Sequence, residues 1–410
     1  MSAGIEAINI YTGRAVLEAR TLFEERGLDT ARFANLMMRQ KSVNLPCEDP
    51  VTNAVNAAKP LVDALTPQER DSIEAVVVGT ESGLDFGKPL SAYVHDRLGL
   101  SKRCRSFEVK HACYGGTAAL RTGLGLLASS AEPGAKALVI AADAGGEVTD
   151  MPYWEPSHGA GAVAMLLGDD PAVLALDHGA VGLHSFEVMD TCRPRADLAA
   201  GDSDVSLLAY LECLESTFAD YRERVEGADL LTTFDFLAFH TPFAGMVKGA
   251  HRQLLRKVAG SGPAEIEEDF TRRLAPSLEW CARMGNTYSA GLYVALCSLI
   301  ENGDFTVPRR VGLFSYGSGC TSEFFSGVVT HRAQQQLAEA KTGAALDARL
   351  PLTFAQYETL AGHTRLAMAG VRDQVFDHAP YREVYDTALD GQGLLVLDRI
   401  EGFHRSYRWS

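Results

Sequence analysis

The sequence lacks any Cys-x-x-Cys pair. Its eight cysteines, at 47, 104, 113, 192, 213, 281, 297 and 320, are scattered. That spacing argues against both a disulfide framework and a zinc site, and it fits a reducing compartment in which thiols stay free. No apolar run approaches the length of a membrane span. The first residues, Met1-Ser-Ala-Gly-Ile-Glu, have neither the basic start nor the apolar core of a signal peptide, so a cytoplasmic location is expected. No Pro/Ser/Gly-rich stretch cuts the 410 residues into separable pieces. Positive charge is also short. The net charge of −15 argues against nucleic acid or an anionic membrane as the main partner.

What is present is a chain that alternates short apolar runs with amphipathic ones, the pattern of an α/β protein. Ile73–Gly79, Ala135–Ala142, Gly161–Leu167, Val173–Leu176, Phe234–Phe239, Val311–Ser315 and Phe324–Val329 read as strands. Gly245–Val258 reads as an amphipathic helix. Asn286–Ile300 reads as another, with apolar spacing at Leu292, Leu296 and Leu299.

One stretch carries chemistry. Ser106–Val109 leads into Cys113, then Gly115-Gly116, then an Ala/Leu helical run to about Ser129. A cysteine at such a strand-to-helix turn would lie at a helix N-terminus, where the macrodipole and free N–H groups favour a thiolate. That sulfur could carry a covalent thioester. Read alone, it could equally be a small buried residue opening a core helix.

The chain also echoes itself. Ser157-His-Gly159-Ala-Gly161 and Ser315-Tyr-Gly317-Ser-Gly319 each feed a strand. Upstream of each lies a helix-opening polar residue, Cys113 before the first and Asn286 before the second. Two halves related by a pseudo-twofold, 1–172 and 173–410, would bring Cys113 and Asn286 towards one central site.

These pieces resemble the thiolase superfamily and, more narrowly, the 3-hydroxy-3-methylglutaryl-CoA synthases. The matching motifs run in order: Gly79-Thr80-Glu81-Ser82 with Asp85-Phe86-Gly87-Lys88, Ala112-Cys113-Tyr114-Gly115-Gly116-Thr117, Gly159-Ala-Gly161-Ala-Val163, Phe239-His240-Thr241-Pro242-Phe243, Gly285-Asn286-Thr287-Tyr288, and Phe314-Ser-Tyr-Gly-Ser-Gly319 with Glu323-Phe324-Phe325. Asn35-Leu-Met-Met, Val43-Asn-Leu-Pro-Cys-Glu-Asp-Pro50, Phe107-Glu-Val-Lys and Leu207-Leu-Ala-Tyr-Leu211 are similar to the branch that installs β-branches on polyketides.

The resemblance implies a thiolase-like fold of two αβα halves giving five layers, αβαβα, the first half holding Glu81 and Cys113 and the second His240 and Asn286. It implies that Cys113 takes an acetyl group and that Glu81 removes a proton from its methyl and later protonates the new alkoxide. That work suits a carboxyl raised towards neutrality. His240 would polarise the acceptor carbonyl and tune Cys113. Asn286 would position substrate or His240, and Gly317 and Ser318 would lend a backbone N–H to the oxyanion. Read alone, Glu81 could equally be a helix-start or capping acid, His240 is more often a structural histidine, Asn286 could be an N-cap while also serving the site, and the glycine loop could be a strand-entry turn.

No bound cofactor or metal is implied. The phosphopantetheine arm would arrive on an acyl carrier protein, or as CoA in primary metabolism. Expected partners are a donor carrier, an acceptor polyketide carrier domain and a second copy in a homodimer. Carriers are acidic, so docking needs local positive charge. Lys248, Arg252 and Arg256 fall at i, i+4, i+8 on one helix, with Arg32 a second candidate; the stripe could serve CoA phosphates instead, or be a solvated face. The family pattern is departed from at His111 and in a short stretch between Asp143 and Pro156, so acetyl rather than propionyl as donor is an expectation. A CoA-dependent synthase and a non-catalytic thiolase-like scaffold remain the alternatives.

Overall fold

The computed structural model describes residues 3–130, 132–145, 148, 149 and 151–410. Nine strands form its principal sheet in the order Phe236–Phe239, Arg309–Gly317, Thr321–Val329, Leu174–Ser185, Gly4–Tyr11, Gly161–Gly168, Lys136–Asp143, Ile73–Gly79, Arg105–Val109. Outward from its middle pair the sheet repeats the same strand senses over three strands in each direction, and Arg105–Val109 adds a further strand on one side only. Beside Gly4–Tyr11 lies the last strand of the first half, Gly161–Gly168, antiparallel. Next comes Lys136–Asp143, antiparallel, then Ile73–Gly79, parallel. Beside Leu174–Ser185 lie Thr321–Val329, Arg309–Gly317 and Phe236–Phe239, in the same three senses. The two initial strands meet antiparallel, at Gly4 with Ala175 and Ile5 with Leu174.

Strand alternation turns this sheet into layers, because successive side chains point to opposite faces. Val76 and Val78 join Leu138 and Ile140 over the helix Pro50–Asp63. Ala75 and Val77 face the other way, onto the helices Gly115–Ala128 and Gly291–Asn302. Val311 and Leu313 reach that same central layer from the second half. Leu237, Phe239 and Phe314 point outward to the helices Ser203–Arg224 and Ala244–Ala259. Burial on both faces explains why Ile73–Gly79 and Lys136–Asp143 read as unbroken apolar runs. The result is the five-layer, thiolase-like αβαβα arrangement.

The two central helices begin against one another. A Cβ on Gly116 would stand 2.2 Å from the Ser289 carbonyl oxygen, so only glycine permits that approach. The expected helix from Asn286 starts later: Tyr288–Ala290 is a 3₁₀ turn and the α-helix runs Gly291–Asn302. That shifts the internal echo by three residues. Ala112 (φ 40°) precedes Cys113, and the helix opens at Gly115. Tyr288 (φ 51°) precedes Ser289, and the helix opens at Gly291. Cys113 therefore matches Ser289 in backbone position, not Asn286.

Candidate active site

Cys113 sits half-buried in the turn between the strand Arg105–Val109 and the helix Gly115–Ala128. Ala112 holds a left-handed conformation just before it, which costs an L-residue about 1–2 kcal/mol. Its Sγ lies 3.5 Å from Glu81 Oε2, placed so that the thiol donates to the carboxylate. Glu81 leaves the end of the strand Ile73–Gly79, and its backbone N–H donates to Asp143 Oδ1 at 2.9 Å. Asp143 is fully buried at the end of the neighbouring strand Lys136–Asp143. It also accepts from Thr80 Oγ1 at 2.9 Å, Ser289 N at 3.0 Å and Ser289 Oγ at 2.5 Å. One carboxylate thus ties a strand exit of the first half to a helix start of the second.

The environment of the sulfur runs against the sequence expectation. Burial first, then the neighbouring Glu81 and Asp143, pushes the Cys113 thiol well above its ordinary pKa. Desolvation and nearby carboxylates both disfavour a thiolate. Both act against the helix N-terminus and favour a thiol with an acceptor beside it. Burial likewise raises Asp143.

His240 follows the strand Phe236–Phe239, the counterpart of the strand that delivers Glu81. Its backbone is fastened on both sides: the N–H donates to Phe314 O at 2.8 Å, and the carbonyl accepts from the Tyr210 hydroxyl at 2.8 Å. The imidazole is 1% exposed, and neither ring nitrogen meets a hydrogen-bond partner. Burial lowers its pKa to about 3, so the ring is neutral at physiological pH. A fastened, neutral imidazole with unused nitrogens is suited to donate a hydrogen bond to a carbonyl. It does not supply a cation to a thiolate.

Asn286 lies beside it. A Cβ built on Gly291 would come 2.8 Å from His240 Nδ1 and 3.9 Å from Asn286 Oδ1, so both side chains crowd the same glycine. Asn286 Oδ1 accepts from Tyr288 N at 2.8 Å, which leaves its amide nitrogen for another acceptor. The two glycine loops brace across the pseudo-twofold. Asn286 N donates to Ser157 O at 2.6 Å, and Gly159 N donates to Asn286 O at 3.0 Å. In return a Cβ on Gly317 would stand 2.5 Å from Tyr114 N, so that glycine presses on the cysteine turn. Ser318 is half-buried and Gly319 exposed. The Gly319 N–H is occupied, donating to Asp190 Oδ1 at 3.0 Å.

The pattern extends to whole proteins. Family models for the hydroxymethylglutaryl-coenzyme A synthase N-terminal and C-terminal regions match residues 1–172 and 256–409. The chain belongs to the hydroxymethylglutaryl-CoA synthase family. It is 49% identical to the polyketide biosynthesis 3-hydroxy-3-methylglutaryl-ACP synthase PksG of Bacillus subtilis (strain 168), over 100% of this chain and 99% of that one. It is 35% identical to the hydroxymethylglutaryl-CoA synthase of Enterococcus faecalis, over 89% and 92%. Among solved structures, the curacin-pathway HMG synthase in complex with acetyl donor-ACP superposes with a TM-score of 0.97 at 49% identity, covering 100% of both chains. Membership makes this chain an enzyme that joins carbon to carbon by acyl condensation.

Several features of this synthase were not legible as site residues. Arg193, on the strand Thr191–Arg195, donates to Glu81 Oε1 at 3.2 Å and to Ser82 Oγ at 3.3 Å. Its guanidinium lies 5.4 Å from the centre of the Tyr288 ring. Asp143 and Ser289 were equally unforeseen, and only the positions at a strand end and a helix start could have signalled them. His111 packs edge-on to Tyr114, and burial lowers its pKa. Its Nε2 is buried and bonded to nothing. Part of the short stretch after Asp143, expected to shape the acyl pocket, falls outside the described residues.

The basic stripe is on the surface, though not all of it is free. Lys248 pairs with Glu267 at 2.7 Å. Arg252 and Arg256 are exposed. Arg32 is exposed, pairs with Asp29 at 3.7 Å and lies over the Tyr153 ring. Its segment packs on the start of the stripe's helix, where a Cβ on Gly245 would fall 1.8 Å from Asn35 O.

Proposed function

We propose that this synthase installs the carbon of a β-branch during polyketide assembly. An acetyl group from a donor acyl carrier protein is transferred to Cys113, with Glu81 receiving the thiol proton and passing it to the departing phosphopantetheine thiolate, which leaves Glu81 a carboxylate again. Glu81 then removes a proton from the acetyl methyl. The resulting enolate-like carbon adds to the β-ketone of an acceptor chain on its own carrier, whose oxygen takes hydrogen bonds from neutral His240 and from the Asn286 amide. Glu81 returns its proton to the alkoxide, and water cleaves the Cys113 thioester. Ser318 and Gly317 belong to the loop that borders the thioester oxygen. The contact of 3.5 Å between Cys113 Sγ and Glu81 Oε2 carries this reading: a sulfur that bears the acyl group and a carboxylate that serves as base would stand within one proton transfer of each other.

Full-length identity of 49% to a carrier-dependent relative supports carrier thioesters over CoA. Identity of 35% to a CoA synthase keeps CoA as the second reading. Arg252, Arg256 and Arg32, with Lys248 beside them, form the docking surface for the acidic carrier and its phosphopantetheine arm. The halves divide at 172 and 173, and the repeated strand order supports that division. The strand Arg105–Val109 ends the sheet, and Phe86 nearby is fully exposed. An unpaired edge with an exposed aromatic suits pairing with a second copy, hence a homodimer. Among the described residues no helix is long and apolar enough to cross a membrane, in keeping with work in the cytoplasm.

Intact-protein mass spectrometry tests the reading. Acetyl carrier protein should acetylate Cys113 faster than acetyl-CoA does. Faster loading from acetyl-CoA would move the chain to primary metabolism, and no loading from either would point to another donor acyl group or to a non-catalytic scaffold. Glu81→Gln should still load acetyl but form no carbon–carbon bond.

A further inference from the structure

Hydrolysis makes an anion where the site is already acidic. Water adds to the acyl carbon bonded to Cys113 Sγ and the carbon–sulfur bond breaks. Sulfur leaves with the electron pair and takes one proton of the water. The new acid gives the other proton to solvent. The balance is thioester plus water to thiol, carboxylate and one proton. That carboxylate forms beside Glu81, whose Oε2 is 3.5 Å from the sulfur, and near Asp143, which holds the Glu81 backbone. Two resident carboxylates repel a third, so release needs a counter-charge.

Arg193 stands in position to supply it. Its Nη2 lies 3.2 Å from Glu81 Oε1, while Cys113 Sγ meets the other oxygen of the same carboxyl, Oε2. Its Nη1 is 3.3 Å from Ser82 Oγ, and the Tyr288 ring lies 5.4 Å away. The side chain is 16% exposed, so its charge is little screened by water. The backbone is held in a small sheet by pairing of Thr191–Arg195 with Leu198–Gly201. A guanidinium carries five donors in a planar fork, enough to hold Glu81 and a second carboxylate together.

Resting on the reaction proposed above, we infer that Arg193 is a catalytic residue of the hydrolytic half-reaction, binding the carboxylate released from Cys113. The condensation half-reaction produces no carboxylate, and there Arg193 serves only as the ion-pair partner of Glu81.

The test compares wild type, Arg193→Met and Arg193→Lys as full chains, with circular dichroism as the check on folding. Each is given acetyl carrier protein and then acetoacetyl carrier protein, and read by intact mass. In wild type the acetyl adduct forms and is discharged. In Arg193→Met it should form and condense, and then persist as a covalent enzyme–carrier conjugate. Turnover should fall about 10- to 100-fold, the factor carried by a lost charge-assisted hydrogen bond. Arg193→Lys, which keeps a charge, should discharge the conjugate faster than Arg193→Met. An Arg193→Met enzyme that stops at acetyl-Cys113 with no conjugate would place the arginine in condensation and overturn the inference. So would unchanged turnover, or a folded Arg193→Lys no better than Met. A wild type that never acetylates would sink the reaction itself, and this inference with it.

Discussion

The turn at Cys113 and the turn at Ser289 share one backbone and do different work. Each has a left-handed non-glycine residue, then a nucleophile-type side chain, then a helix that opens two residues later. Cys113 is half-buried and meets a carboxylate of its own half, Glu81. Ser289 is 1% exposed and gives its hydroxyl to Asp143 of the opposite half. The strand exits diverge in the same manner, with Glu81 at one and His240 at the other. The repeat offers two equivalent sets of positions, and burial distinguishes them. One turn presents a half-buried sulfur to a carboxylate, and the other is locked into the scaffold through Asp143.

The strongest way to break this comparison is to make the turns chemically alike. Cys113→Ser puts hydroxyls in both. An alcohol is a far poorer nucleophile and leaving group here, so acyl-enzyme formation should fall by about 10³ or more, measured by adduct mass. Substantial acylation of that variant would show that the turn, and not the sulfur, confers reactivity. Next in size is Gly291→Ala. The added Cβ would sit 2.8 Å from His240 Nδ1, a ring with no hydrogen bond to hold it in place. Overpacking costs about 1–3 kcal/mol of stability. A displaced imidazole should cost about 10² in condensation, with acetylation of Cys113 largely retained. Equal loss of both steps would separate His240 from acceptor binding.

The large outline was legible because its causes are local. Double-sided burial leaves apolar runs at Ile73–Gly79 and Lys136–Asp143, and the glycine pair Gly115-Gly116 at a helix start marks close approach. Glu81, Cys113, His240 and Asn286 sit in motifs whose types fit the chemistry, and Asn286 shares Gly291 with His240. The rest depends on contacts far apart in sequence. Nothing local marks Asp143 as the acceptor from Ser289, 146 positions away. Nor does Arg193 carry a sign that it reaches Glu81, 112 positions back. The strand Gly4–Tyr11 escaped notice for a related reason: its register with Gly161–Gly168 gives it a core role that its own pattern does not announce. Matching polar residues along the sequence aligns the echo to Asn286, whereas backbone geometry pairs Cys113 with Ser289.

A smaller effect sharpens the supporting role of the second turn. Ser289→Ala removes one of the donors to buried Asp143. Leaving a buried acceptor short costs about 1–3 kcal/mol, to be read from urea unfolding. Because Asp143 also holds the Glu81 N–H, condensation should fall more than acetylation. Unchanged stability and unchanged condensation together would make the serine a passive filler and dissolve the contrast with Cys113.

The smallest expected effect asks what the shared backbone does to sulfur. If the helix N-terminus governed Cys113, alkylation by iodoacetamide would level off near neutral pH, where a lowered thiol would already be ionised. Burial and the Glu81 carboxylate push the thiol above its ordinary value of 9.0 instead, and His240, lowered to about 3, offers no positive charge to oppose them. Labelling of Cys113 should therefore still be rising past pH 9, as should that of Cys104, which burial raises to about 11 and which serves as an internal reference in the same peptide map. Glu81→Gln removes a charge that disfavours the thiolate, so it should move the Cys113 profile towards lower pH and leave the Cys104 profile where it was. A plateau below pH 7 in the unmodified enzyme would mean that the turn itself makes the thiolate, and Ser289 would then differ from Cys113 only in its atom.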